Sequence, residues 1–153
     1  MTLLNRLPIM PLYYQGKTKF APIHVTDLVQ IIFDVVQGKT NEQTIECIGP
    51  EIISFKEIVL KLIKAIDKKR LLIPLPLAIA KITAKIFEIM PNPLITVDQI
   101  NLLKYDNIPS GKYKTNFDLG FKAKKIFEKE IEKYSFNWRA GGQFSREKDS
   151  KTN

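Results

Sequence analysis

Seven glycines punctuate this chain, at positions 16, 38, 49, 111, 120, 141 and 142, and none is placed to cradle a phosphate. Neither G-x-G-x-x-G nor G-x-x-x-x-G-K-[ST] occurs. A dinucleotide fold needs such a loop after its first strand, where backbone N–H groups and a helix N-terminus hold the pyrophosphate. A chain arranged this way is not expected to bind a dinucleotide alone. Its 153 residues and 44% apolar content nonetheless suit one globular unit, able to bury roughly 70% of its unfolded surface.

Local signals divide the chain into helices and short strands. Residues 1–18 show no helical or strand period, and Pro8 and Pro11 break them. Phe20 to Val25 reads as a short, largely apolar strand, and Pro22 inside it argues for a sheet edge or a strand end. A first helix follows, with Asp27 as N-cap, Gln30 three residues on, and Leu28, Ile31, Ile32 and Val35 on one face; Gly38 ends it. Gln43 to Ile48 alternates as a strand and stops at Gly49-Pro50. The second helix has the strongest start. Ser54 and Glu57 form a capping box, Ile53 and Ile58 a hydrophobic staple, and Ile58, Leu62, Ala65 and Ile66 line the inner face. Lys68-Lys69-Arg70 suits its C-terminus. Leu71 to Pro74 is extended, and a third helix runs from Pro76 to Met90, broken by Pro91-Asn92-Pro93. Thr96 with Gln99 caps a fourth helix, with Ile95 against Ile100, and a last one spans about Ala123 to Lys133. The expected domain is 1–138. Residues 139–153 are expected to be a disordered polar tail.

The net charge of +8, from 24 Lys and Arg against 16 Asp and Glu, has two readings. One is an anionic partner. The other, preferred here, is lysine used wherever a solvated residue will do, since no Arg-aromatic pattern of a nucleic-acid binder appears. No apolar run approaches the roughly 20 residues that span a bilayer, and no secretory leader is read at the N-terminus. Cys47 stands alone. A reducing, cytoplasmic setting is therefore the expectation, with a peripheral place at the inner membrane face as its variant.

The order of two segments carries a resemblance. Phe20-x-Pro22-Ile23-His24-Val25-x-Asp27-Leu28 feeds one helix, and Gly49-Pro50-Glu51-x-x-Ser54-Phe55-Lys56-Glu57 feeds the next. Together they resemble the C-terminal half of extended or atypical short-chain dehydrogenase/reductases, the superfamily of NAD(P)-dependent epimerases and dehydratases. Leu75-Pro76 through Met90-Pro91-Asn92-Pro93-Leu94-Ile95-Thr96-Val97-Asp98-Gln99 and on to Asp106-Asn107 is similar to the branch holding the NAD(P)H-binding accessory subunit of respiratory complex I. The resemblance spans about residues 3–138. It implies an α/β fold: a substrate-side subdomain of four to five helices and two to three short strands, without a complete Rossmann sheet. It also implies NAD(P) for the full-length family. For this chain alone no cofactor is expected, because the Gly-rich loop and the Tyr-x-x-x-Lys pair lie upstream of this region in the family. The partners implied are the missing Rossmann domain or a protein replacing it, and a respiratory complex. A non-catalytic assembly module for such a membrane-associated complex is the alternative function.

Tyr13 and Lys17 form a Tyr-x-x-x-Lys string, rejected as catalytic because they flank Gly16 in a segment without helical period. His24, the sole histidine, reads as a strand residue packed beneath the first helix, or else as a ligand-facing group near the cofactor cleft or a general acid/base. Asp27 reads as a cap rather than a catalytic carboxylate. Glu128, Glu130 and Glu132 with Lys129 and Lys133 read as a solvated, salt-laced helix rather than a metal site. No catalytic or metal residue is assigned; Phe20 and His24 are the cleft-side candidates. In the third helix, Lys81 and Lys85 share one face, which fits core packing, a protein partner or an anionic membrane surface. An exposed apolar patch is expected from Leu3–Leu12, Phe20–Val25 and part of that helix.

Overall fold

The computed structural model describes residues 1–76, 79 and 96–144. These form a mixed α/β structure: α1 (Thr2–Arg6), β1 (Ile9–Tyr13), β2 (Lys19–Phe20), α2 (Val25–Val36), β3 (Ile53–Ser54), α3 (Phe55–Ala65), β4 (Leu71–Leu75), α4 (Val97–Leu102) and α5 (Phe127–Ser135). The third predicted helix, with Lys81, Lys85 and the break at Pro91-Asn92-Pro93, falls almost wholly outside the described residues, as does Ile95.

The N-terminal segment corrects the sequence reading. It holds both a helix, α1, and a strand, β1, which runs parallel to β4 with Ile9 opposite Leu71 and Tyr13 opposite Leu75. Pro11 and Pro74 hide this strand pair from a periodicity search. Each lacks an N–H, which two-stranded pairing tolerates because each strand has an unpaired side. Leu4, Leu12, Val59 and Ile66 form the core beneath the pair, with Met10, Leu62, Leu72 and Trp138 around them. Tyr13 and Ile100 make a second cluster with Val97 and Leu103, joining α4 to the end of β1.

Helix α3 follows the predicted capping. The Ser54 hydroxyl accepts from the Glu57 N–H at 3.2 Å and the Glu57 carboxylate accepts from the Ser54 N–H at 2.7 Å. Ala65 and Ile66 are buried and Leu62 packs on the core as expected, whereas Val59 rather than Ile58 joins them. The basic cluster after α3 also acts elsewhere. Arg70 donates to the carbonyls of Leu4 and Asn5 at the end of α1, whereas Arg139 donates to the Ala65 carbonyl at 2.7 Å. Cations thus meet both helix C-termini, but across the fold. Phe144 stacks near Trp138, with ring centroids 5.0 Å apart, and its carbonyl accepts from Asn5. Residues 139–144, read in the sequence as tail, therefore pack on α1 and α3.

The predicted strand Gln43–Ile48 is reduced to one bridge, Glu46 with Thr115. A side chain takes over the rest of the ladder. Asn116, fully buried, accepts from the Ile48 N–H at 2.8 Å and donates to the Phe121 carbonyl at 3.0 Å. The stop at Gly49 has a steric cause: a Cβ there would lie 1.8 Å from the Pro22 carbonyl oxygen.

Candidate functional site

The segment that carries the resemblance runs between two cavities. β2 pairs antiparallel with β3, Phe20 opposite Ile53, and on its other side Lys19 and Ala21 exchange backbone hydrogen bonds with Asn107 at 2.8 and 3.0 Å. The predicted strand stops at Phe20, because Pro22 has no N–H and Val25 already opens α2. Phe20 lines a cavity of about 490 Å³ with Glu46, Cys47, Ile58 and Pro109. Its carboxylate is committed to the fold. The Glu46 carboxylate accepts from the Ser110 N–H at 3.0 and 3.1 Å. Burial pushes the Cys47 thiol up, away from the thiolate that a nucleophile requires.

His24 lines a different cavity, of about 380 Å³, with Lys125, Phe127, Glu130 and Tyr134; Pro22 and Ile23 stand on both. The structure therefore does not bring Phe20 and His24 to one site. Nor is His24 packed beneath the first helix. It is the N-cap of α2: Nδ1 accepts from the Thr26 N–H at 3.2 Å and lies 2.9 Å from the Thr26 hydroxyl. That bond puts the neutral ring's proton on Nε2, which lies 3.7 Å from the Glu130 carboxylate. Hydrogen bonding from Lys133 holds Glu130 below the usual carboxylate range, so Glu130 is an acceptor, not an acid.

Asp27 is displaced from its predicted role by this histidine. It sits in the first turn of α2, and its carboxylate accepts from the N–H groups of Lys124 and Lys125 at 2.8 and 2.9 Å. It ties α2 to the chain entering α5. Tyr13 is buried at the end of β1 and Lys17 is exposed beyond the following turn, so no helix presents the two together. The acidic run of α5 also has a structural task. Glu128 bridges Lys61 and Lys64 of α3, each at 2.8 Å, and these two lysines lower its carboxyl to about 2. Among the described residues no group of three metal-ligating side chains converges, and no helix is long and apolar enough to cross a membrane.

Two features escaped the sequence reading. The first is a cavity lined by Lys17, Lys19 and Lys56, which no periodicity connects. The second is the outer face of α2. Ile31 is buried at 2% exposure, but Val25, Val29, Ile32, Phe33 and Val36 are 53–76% exposed. Ile32, expected on one face with Ile31, belongs to this outer stripe. The exposed patch expected from Leu3–Leu12 is not where it was placed, since Leu4 and Leu12 are core residues. No family model matches the chain, and no curated protein matches it.

Proposed function

We propose that this chain is the C-terminal, ligand-side portion of an NAD(P)-linked protein of the short-chain dehydrogenase/reductase type, of the complex I accessory kind, and that its phosphate loop and main sheet are supplied by a polypeptide segment docked on α2. The observation that carries the reading is the outer stripe of α2. Five large apolar side chains recur along a 12-residue helix and meet water. Soluble proteins seldom expose such a continuous patch unless something covers it. Gln43–Ile48 supports the same reading. It has the alternation of a strand and makes only one bridge among the described residues. A helix without cover and a strand without a sheet are what a sheet-bearing partner would complete. The cavities beside Phe20 and His24 would then form the ligand side of the joint cleft. Their chemistry is binding rather than proton transfer, because the carboxylates there already serve backbone or lysine partners.

The test is the behaviour of the isolated chain. It should self-associate at tens of micromolar in analytical ultracentrifugation and bind a hydrophobic dye. Val29→Glu with Phe33→Glu should abolish both and leave the melting midpoint in place. A clean monomer with no dye binding would end the half-protein reading. Calorimetric titration with NADPH should show no low-micromolar affinity; a binding free energy near about −8 kcal/mol would place a dinucleotide site in this chain and refute the division of labour.

A further inference from the structure

We propose that the cavity of about 750 Å³ between the Tyr14–Gly16 turn, β4 and the first turn of α3 is a binding site for a small molecule that joins a phosphate to an apolar body. Lys17, Lys19 and Lys56 line it, and no carboxylate is among the described residues that do. Five other lysines pair with acids: Lys39 with Asp34, Lys61 and Lys64 with Glu128, Lys114 with Glu42, and Lys133 with Glu130. Among the described residues, Lys17, Lys19 and Lys56 form no ion pair. Two acids close to these lysines in the chain or through the backbone are already engaged, Glu57 in the cap of α3 and Asp106 on the Lys19 N–H at 2.8 Å.

Three like charges gathered on one cavity repel, and a bound anion offsets that repulsion. A phosphate monoester, with close to two negative charges and three acceptor oxygens at neutral pH, matches three ammonium donors. The remaining wall is apolar, from Leu12, Leu72 and Pro74. The space far exceeds a bare phosphate and lies within the usual range for small-molecule pockets, roughly 300–1,000 Å³. The lysines are also held together by the backbone. Gly16 has φ +69°, and a Cβ on it would stand 2.8 Å from the Cβ of Lys56. The turn thus lies directly against α3, which keeps Lys17 and Lys56 on the same cavity.

The probe is phenyl phosphate, titrated into the full chain and followed by amide NMR shifts. Saturation with a millimolar dissociation constant is expected, with shifts centred on residues 15–19 and 54–56. Lys56→Gln should weaken binding about tenfold, as for loss of one charge-assisted hydrogen bond. Lys112→Gln, which removes the same charge at an exposed position outside the cavity, should leave it unchanged. A second arm uses vesicles containing phosphatidic acid. Sedimentation with them that Lys56→Gln reduces and Lys112→Gln does not, without phenyl phosphate binding, would assign the same site to a lipid headgroup. No saturation by either probe, or equal losses in the two variants, overturns the proposal. Melting curves of both variants separate loss of binding from loss of fold. This site is independent of the α2 stripe, so a monomeric, dye-free chain would leave it standing.

Discussion

Helices α2 and α3 are built alike and end differently. Both are amphipathic, both begin with a side-chain cap, and both run for three turns. In α3 the apolar face disappears into the core, with Val59 at 2% exposure and Ile66 at 0%. In α2 only Ile31 is buried that deeply, and a second apolar stripe faces outward. Apolar periodicity reports which residues share a face of a helix. It does not report whether the fold supplies anything to cover that face. α3 has α5, clamped by Glu128, and the β1–β4 pair beneath it; α2 has tethers at its N-terminal end, through Asp27.

The sharpest way to break this contrast is to truncate the cores themselves. Ile66→Ala should cost about 2–5 kcal/mol, the usual range for emptying a fully packed site, read from chemical denaturation midpoints. A loss below about 1 kcal/mol would mean that the core of the β1–β4 lobe is loosely packed and that the two helices differ less than the exposures suggest.

Much of this lobe was legible in the sequence, and the reasons are local. The capping boxes at Ser54 and Thr96 close within four residues, so both helix starts stand where the sequence puts them. Gly38, at φ +75°, ends α2 as expected. What escaped notice depends on distant chain. β1 is a strand only because β4 lies beside it. His24 replaces Asp27 as cap because Asp27 is drawn to the backbone of residues 124 and 125. Gln43–Ile48 lost most of its ladder to a single asparagine, Asn116, far along the chain. The candidate site suffered most. Phe20 and His24 are neighbours in sequence, yet they face different cavities, and the three lysines of the 750 Å³ cavity come from two separate segments.

A smaller effect tests the starts of the two helices. Ser54→Ala should destabilise the chain by about 1 kcal/mol, the common cost of a lost cap. His24→Ala removes a one-way cap bond, 3.2 Å from the Thr26 N–H, where Ser54 has a reciprocal box, and should cost less than Ser54→Ala in the same thermal melts. The reverse order would show that α2 is the more strongly anchored helix.

The clamp over α3 carries its own pH signature. The Glu128 carboxyl is lowered from 4.5 to about 2 by hydrogen bonds from Lys61 and Lys64. A group whose folded pKa is depressed stabilises the fold above its unfolded value and loses that contribution as pH falls through the folded one. The wild-type chain should therefore lose stability between about pH 4.5 and 2 through this residue. Glu128→Gln should flatten that part of the acid limb and leave the curve above pH 6 parallel to wild type. An unchanged acid limb would place the clamp's energy outside titration. Added salt should shrink the wild-type slope, since these groups are partly exposed.

The smallest expected stability change is the most diagnostic of the comparison. Phe33 is 55% exposed on the outer stripe of α2. Replacing it by Gln removes apolar surface that the isolated fold does not bury, so the melting free energy should move by no more than about 0.5 kcal/mol, as for other surface changes. The same substitution should lower dye binding and weaken self-association, because it cuts the stripe midway between Val29 and Val36. Stability and association thus separate at this residue, whereas at Ile66 they would fall together through unfolding. A stability loss of several kcal/mol at Phe33 would mean that the chain covers α2 itself. The stripe would then belong to this fold's own core, and no second polypeptide would be needed to complete it.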